Sequence, residues 1–218
     1  MLKLISALFI ALMPINAVRI FLYRLLLGYN IDNKSHIGLL TLLLARDVQI
    51  KQATIGSMNI IRINSLIMNK GSLIGKLNFF SKLKRVDLGV DACILHRNFI
   101  GGTYGTTVEC GREELLIGHR SQISLSCFFD LSDRITLGEN VVVAGSGTQL
   151  WTHGFDHLRT RSLAPITIGN DVFIGAASTI VQGVQICSNV SVGAGSVVHR
   201  SITEPGLYVS NNLRRVGN

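Results

Sequence analysis

The sequence ITIGNDVFIGAASTIVQGVQICSNVSVGAGSVV at residues 166–198 decides the fold, because an aliphatic residue returns at every sixth position. Neither an α-helix nor a β-hairpin has that period, whereas six residues form one short side of a coil in a parallel β-helix. Three such sides make a coil of 18 residues, so Gly175 and Gly193 are predicted to lie one above the other. The aliphatic positions then form one buried column: Ile168, Ile174, Ile180, Ile186, Val192 and Val198.

Aliphatic–glycine pairs of the same kind recur in fragments from His36 onward. Gly38 and Gly56 are 18 residues apart, and Gly118 and Gly138 are 20 apart, which indicates extra residues at some corners. The sequence therefore predicts an all-β fold with an appended helical segment. We expect an apolar N-terminal helical segment at 1–35, a β-helix domain at 36–198 with a loop at 150–165, and a basic tail at 199–218.

The composition narrows the class of partner. The chain has 218 residues and a net charge of +8, which favours anionic partners such as a phosphorylated cofactor or a membrane surface. Its basic residues are not interleaved with stacking aromatics, so no nucleic-acid partner is predicted. The four cysteines show no zinc-finger spacing and are expected to be reduced, which favours a cytoplasmic location.

Residues 1–29 form an apolar segment that Pro14 interrupts, and neither half reaches the roughly 20 residues that span a bilayer. Two helices are expected. They could cap the open end of the β-helix, or they could make a peripheral contact with the inner face of the cell membrane. In the second case Arg19 and Arg24 are expected to reach toward lipid phosphates. The two roles are compatible.

The segment PITIGNDVFIGAASTIVQGVQICSNVSVGAGSVVHR at 165–200 resembles the hexapeptide-repeat acyltransferases, which include galactoside, maltose, serine and surface-polysaccharide acetyltransferases. The resemblance implies a left-handed β-helix, a homotrimer, and acetyl-coenzyme A as the donor. It also implies a histidine general base at the subunit boundary. The expected function is O-acetylation of a sugar hydroxyl on a surface polysaccharide or its precursor, by direct transfer.

His153 is the expected general base, since the family places a histidine in the loop just before the final repeats. An imidazole titrates near neutrality and can take up the proton of a hydroxyl group. Asp130, expected on the preceding coil, is the predicted partner of His153, although Asp156 or a backbone carbonyl would also serve. Trp151, Asp156 and His157 are expected to bind the acceptor.

For the donor, the resemblance assigns two small residues and three basic ones. Ala176 would lie beside the thioester and Ala194 beside the pantetheine arm, where small side chains allow close approach to the backbone. The stretch at 209–213 departs from the family's usual ending, which leaves the adenine end of the site less defined. The basic residues expected near the phosphates and the nucleotide are His199, Arg200 and Arg214.

Two other classes of function stay open at this point. A zinc lyase of the γ-carbonic anhydrase type would use His153 and His157 with a third ligand, for which His96 or His119 is available. No metal is expected. A non-catalytic β-helix that serves as an assembly subunit is the other alternative, and it predicts no turnover of a thioester.

Overall fold

The structure is a computed structural model that describes residues 2–102 and 111–210. The chain winds into stacked coils whose short strands pair only with the strands directly above and below, always in parallel, apart from one hairpin. The parallel β-helix predicted from the six-residue period is confirmed.

One face of the coils is a nine-stranded parallel sheet, so the described residues form nine coils. Seven of its strands have two residues, and in each of these seven the second side chain points inward. They are β2 (His36–Ile37), β5 (Thr54–Ile55), β7 (Leu73–Ile74), β9 (Cys93–Ile94), β12 (Gln122–Ile123), β15 (Val142–Val143), β20 (Phe173–Ile174), β23 (Val190–Val192) and β25 (Gly206–Tyr208).

The other two faces belong to one continuous sheet, because two long strands bend around a corner and contribute to both. Its strands are β1 (Asn30–Ile31), β3 (Leu42–Leu44), β4 (Asp47–Ile50), β6 (Ile60–Met68), β8 (Phe79–Leu88), β10 (Phe99–Gly101), β11 (Glu114–Ile117), β13 (Phe128–Asp130), β14 (Ile135–Leu137), β16 (Gln149–Trp151), β19 (Ile166–Ile168), β21 (Thr179–Ile180), β22 (Gln185–Ile186) and β24 (Val197–Val198). An antiparallel hairpin of β17 (His153–Phe155) and β18 (Arg161–Leu163) projects from it.

The predicted aliphatic column is the core. All six of its members, from Ile168 to Val198, are buried. Phe173 and Ile174 pair with Ser191 and Val192, which places Gly175 beside Gly193 on the next coil as predicted. A Cβ at Gly175 would collide with the backbone of that coil, so only glycine fits.

A ladder of buried asparagines stabilises one corner over three coils. Asn59, Asn78 and Asn98 stack with almost no exposed surface, and each accepts the backbone N–H of the next residue in the ladder at 2.8–3.0 Å. The last of these N–H groups belongs to Cys127. The ladder satisfies polar groups that the aliphatic core cannot.

Helices α1 (Leu2–Ala11) and α2 (Asn16–Leu27) cover the first coil, and α1 packs on β3 while α2 packs on β1 and β2. Gly28 ends α2 in the left-handed conformation with φ 71°. Neither helix has the length and apolarity that crossing a bilayer requires, and the described residues contain no other helix. Because both helices pack on strands of the first coil, they cap this end of the β-helix.

The expectation that Arg19 and Arg24 reach toward lipid is wrong. Arg19 is only 3% exposed and its Nε donates to the carbonyl of Ile37 at 2.9 Å. Arg24 donates to the carbonyl of Ile31 and to Oδ1 of Asn33. The first coil has no coil below it to donate hydrogen bonds to its carbonyl groups, so these guanidinium groups bind carbonyl groups at that end. Burial lowers the pKa of Arg19.

Strand pairing extends beyond the 36–198 limits expected from the sequence. It begins at β1, before residue 36, and it ends at β25, after residue 198. Between β24 and β25, Ile202 forms a bridge with Ile186. The first part of the expected tail at 199–218 is thus paired with the coil below, and residues 211–218 lie outside the described part of the chain.

Candidate active site

One corner of the coils carries the residues expected to perform the chemistry, and we call it the His corner. Backbone hydrogen bonds join its successive turns. Leu131 N–H donates to the Gly101 carbonyl at 2.9 Å, and Thr152 N–H donates to the Asp130 carbonyl at 3.3 Å. In order along the β-helix, the His corner comprises residues 45–46, 62–64, 81–84, 101–102, 131–134, 152–165, 181–184 and 199–201.

The loop predicted at 150–165 is the β17–β18 hairpin, with His153 at its base. His153 pairs with Leu163, and Phe155 pairs with Arg161. Directly before the hairpin, Thr152 is fully buried and its Oγ1 donates to the Asp130 carbonyl at 2.8 Å. The rigid coil therefore fixes the point from which the histidine projects.

His153 and Asp130 form the central contact of the site. His153 Nδ1 lies 2.8 Å from Asp130 Oδ1, and their side chains are only 12% and 6% exposed. The same oxygen accepts from Ser132 Oγ at 2.9 Å and from Ser132 N–H at 3.3 Å. A carboxylate only accepts, so we assign the proton to Nδ1, which leaves Nε2 with a lone pair. The structure thus places the Asp130 carboxylate against the imidazole of His153.

Aromatic rings form a stack on the outer face that ends at His153. Phe99 and Phe128 stack with ring centroids 5.0 Å apart, and Trp151 lies 4.8 Å from Phe128. Trp151 in turn meets the imidazole edge-on at 5.8 Å, and Phe155 meets it from the hairpin at 5.6 Å. The imidazole thus lies between two aromatic side chains, which restrict its orientation.

Asp156 and His157 lie further out, at the turn of the hairpin. Asp156 Oδ1 accepts the N–H groups of Leu158 at 2.9 Å and Thr160 at 2.8 Å, so this carboxylate shapes the turn. His157 is exposed beside it. Of the two carboxylates considered for His153, Asp130 is the one that contacts it.

Gln182 is a member of the site that the sequence did not reveal. It lies on the coil above the hairpin and its Nε2 donates to Ser162 Oγ at 2.7 Å. A Cβ at Gly154 would collide with this amide, so the side chain packs against the backbone next to His153. Its Oε1 is buried and has no hydrogen-bond partner in the part of the chain that the structure describes. The repeat places residue 182 directly above residue 152, and this spacing could have indicated that Gln182 lies next to His153.

The two alanines assigned to the donor lie together at a different corner. The Gly175–Gly193 register puts Ala176 and Ala194 on adjacent coils, and the Ala176 carbonyl accepts the N–H of Gly195 at 2.8 Å. This corner is separated from the His corner by the face that contains β21 and β24. One chain therefore does not bring His153 and the two alanines to the same corner.

His199 and Arg200 line a cavity of about 520 Å³ at the last coil, with Gly195, Ser196 and Tyr208. This cavity connects the His corner to the corner of Ala194. It is open, and both basic side chains are exposed. Arg214 lies outside the described residues.

The histidines considered for zinc do not converge within the chain. His96 Nδ1 accepts from Lys76 N–H at 2.8 Å, and His119 Nδ1 accepts from Val90 N–H at 3.0 Å, each at a corner other than that of His153. In the described ranges no three histidine, cysteine or acidic side chains are grouped to hold a metal ion.

Fold and site together define a parallel β-helix of hexapeptide repeats with a buried histidine–aspartate pair at one corner. Comparison with known proteins confirms the resemblance expected from the sequence: a family model described as the hexapeptide repeat of succinyl-transferase matches residues 165–200. The galactoside O-acetyltransferase of Escherichia coli is 33% identical over 105 residues, which cover 46% of this chain and 48% of that protein. The serine acetyltransferase of Staphylococcus epidermidis is 28% identical over 130 residues, 56% of this chain and 55% of that protein.

The chain thus spans about half the length of these two relatives. Among solved structures, a hexapeptide-repeat-containing acetyltransferase from Vibrio cholerae is similar with a TM-score of 0.47 and 20% identity, covering 96% of this chain and 85% of that one. A maltose O-acetyltransferase from Clostridium difficile has a TM-score of 0.43 and 25% identity, covering 62% and 67%.

Proposed function

We propose that this chain is an acetyl-coenzyme A-dependent O-acetyltransferase whose general base is His153. The observation that carries the proposal is the 2.8 Å contact between His153 Nδ1 and Asp130 Oδ1 in a β-helix whose relatives are named acetyltransferases. Acyl transfer to a hydroxyl needs a base that is held in one tautomer and one orientation, and this contact supplies both.

In this proposal His153 accepts the proton of the acceptor hydroxyl at Nε2, while Nδ1 stays bonded to Asp130. The carboxylate stabilises the imidazolium that forms, and Ser132 keeps the carboxylate in place through two hydrogen bonds. His153 can afterwards release the proton to the leaving group. Transfer is direct in this proposal, because no cysteine or serine of the described residues contacts His153 in the arrangement that a nucleophile requires.

The residues near the last coil fit acetyl-coenzyme A, which would supply an acetyl group activated as a thioester. Around Ala194 a Cβ at Gly195 would meet no neighbouring atom, so the backbone there can be approached closely. His199 and Arg200 border the adjoining cavity and suit a phosphorylated group. Within the proposal, Ala176 and Ala194 contact the acyl and pantetheine portions, and Arg214 the nucleotide.

A homotrimer would complete this site. The His corner and the corner of Ala176 and Ala194 lie apart on one chain, so a base from one chain and a donor site from its neighbour would have to meet across an interface. The proposed acceptor is a sugar hydroxyl of a surface polysaccharide or its precursor. Trp151 and the exposed Phe155 flank His153, and the face of an aromatic ring suits the C–H surface of a sugar. The proposed location is cytoplasmic, where the donor is made.

The test is release of free thiol from acetyl-coenzyme A across a panel of nucleotide sugars and glycans. His153→Ala is expected to lower turnover by about two to four orders of magnitude, with donor binding nearly unchanged. His157→Ala is the matched control, since this histidine is exposed at the tip of the same hairpin, and it should cost much less. Near-native turnover of His153→Ala would refute the assignment.

A further inference from the structure

A second surface feature lies at the other end of the His corner, under the start of α1. It is a groove of about 680 Å³, bordered on three successive coils by the corner segments at 44–46, 62–64 and 82–84. Among the described residues, five cations line it, against one carboxylate, that of Glu113, whose Oε1 accepts the N–H of Gly111. The five cationic residues are Lys3, Arg46, Arg62, Lys82 and Lys84.

The exposure of these cations distinguishes the groove from an internal ion-pair network. All five side chains are exposed. Lys84 donates to the carbonyl of Gly111 at 2.8 Å and lies 3.8 Å from a carboxylate oxygen of Glu114, so part of its charge is compensated. Arg46 and Arg62 form no ion pair with any described residue. A concave surface with this excess of positive charge attracts anions.

The groove borders an apolar surface of the two helices. Lys3 lines the groove, and its neighbours Leu2 and Leu4 are 79% and 40% exposed. The outward side chains continue along both helices without a carboxylate, since residues 2–27 contain no aspartate or glutamate. A monomeric protein rarely exposes so many large apolar side chains on one surface. The exposed members on the two helices and the turn that joins them are Leu2, Leu4, Ile5, Leu8, Phe9, Leu12, Ile15, Val18, Phe21, Leu25 and Leu26.

We infer that this end of the β-helix binds the surface of an anionic phospholipid membrane, with lipid headgroup phosphates in the groove and the outer face of α1 and α2 among the acyl chains. Apolar helix surface next to a cluster of lysine and arginine is the combination that interfacial binding requires. The cations that contact the lipid are those of the groove. Arg19 and Arg24 bind carbonyl groups of the cap instead.

Membrane binding at this end would set the height of the candidate active site above the lipid. The groove and His153 lie on the same corner, and three coils separate Lys82 from the hairpin. Adjacent strands are about 4.8 Å apart, so the separation is about 14 Å along the axis. An acceptor glycan that is anchored in the membrane would therefore be presented toward His153. Lipid binding itself does not depend on the proposed acetyl transfer.

The test is flotation of the full chain with phosphatidylcholine vesicles, with and without one-third phosphatidylglycerol. The wild type is expected to float with the anionic vesicles at low salt and to be released as salt rises. Arg46→Gln with Arg62→Gln should weaken binding about 30-fold, from about 1 kcal/mol per charge. The matched control is Lys51→Gln with Lys70→Gln, two exposed cations at another corner, which should change binding by less than about threefold.

The apolar half of the surface has its own matched pair. Phe9→Gln on α1 should weaken binding, whereas Phe173→Gln should not, although the two rings are similarly exposed at 52% and 47%. Thiol release with a soluble acceptor, measured on the same variants, should be unchanged. That readout separates a failure of lipid binding from a failure of the proposed transfer.

Three results would overturn the inference. The first is absence of flotation at low salt. The second is an equal loss of vesicle binding in the groove variant and in the control variant, which would attribute binding to the net charge of the chain. The third is binding of inorganic phosphate that Arg46→Gln with Arg62→Gln abolishes, without binding to vesicles, which would assign the groove to a soluble anion. If a second copy of the chain covers the helix face instead, the protein would not float with vesicles at low salt. It would then form a dimer that Phe9→Gln dissociates.

Discussion

Asn78→Ala should be among the most destabilising single changes in this chain. The Asn78 side chain makes four hydrogen bonds: Nδ2 donates to Asn59 Oδ1 at 3.1 Å and to the Leu95 carbonyl at 2.8 Å, and Oδ1 accepts from the N–H and Nδ2 of Asn98, both at 3.0 Å. Asn59 Oδ1 keeps a second donor, the N–H of residue 78 itself. Alanine would therefore leave three groups without this partner: the two buried donors of Asn98 and the partly buried carbonyl of Leu95.

An unsatisfied buried group costs about 1–3 kcal/mol, and partial relaxation reduces the sum, so we expect a loss of about 3–5 kcal/mol. Urea unfolding at a fixed protein concentration measures it. Asn64→Ala is the matched control, because Asn64 is an exposed asparagine between Asn59 and Asn78 in the sequence. This change should alter the free energy of unfolding by less than about 0.5 kcal/mol. A cost below about 1 kcal/mol for Asn78→Ala would refute the ladder's role.

Three further predictions test the packing, the cysteines and the site. Ile168→Asp should prevent soluble expression, since it buries an unpaired carboxylate. Thr167→Asp, on the outer side of the same strand, should express normally. Similar yields of the two variants would mean that the side chain of residue 168 does not point inward. Burial raises the pKa of Cys127 to about 12, so at pH 8 about one Cys127 thiol in ten thousand is ionised. Iodoacetamide should therefore label the half-buried Cys187 before Cys127, and equal labelling of the two would contradict the burial of Cys127. Gln182→Ala should lower thiol release by about tenfold or more if its amide helps to fix the hairpin, and unchanged turnover would remove it from the site.

The repeat was predictable because a narrow coil requires an inward aliphatic residue on each side. Ile168, Ile174 and Ile180 satisfy that requirement at a fixed step, so the period appears directly in the sequence. The His153–Asp130 contact followed from the same geometry, since it joins residues on adjacent coils.

The asparagine ladder was missed for an identifiable reason. Asn59, Asn78 and Asn98 recur 19 and 20 residues apart, but each lies at a corner where polar residues are expected to face solvent. Only the structure shows that these side chains turn inward and bond to the coils above and below. A polar residue that recurs at the length of one coil was the available signal.

The roles of Arg19 and Arg24 could not be predicted from the helical segment alone. On an apolar helix an arginine is expected to reach outward, but here the first coil presents carbonyl groups that lack partners, and these attract the guanidinium groups. Strand pairing past residue 198 was also hidden, because β25 has no inward aliphatic–glycine pair and is exposed along its length. Both cases concern the ends of the β-helix, where the repeat no longer determines the contacts.

The central claim is that His153 and Asp130 act as one unit, and a double-mutant cycle on thiol release tests it most directly. Asp130→Asn keeps the shape of the side chain but removes the charge that orients the imidazole, so it should lower kcat by about 10²–10⁴ with little change in KM. The double variant of His153→Ala and Asp130→Asn should then be within about threefold of His153→Ala alone. Losses that multiply in the double variant would show that the two residues act independently and would contradict the account.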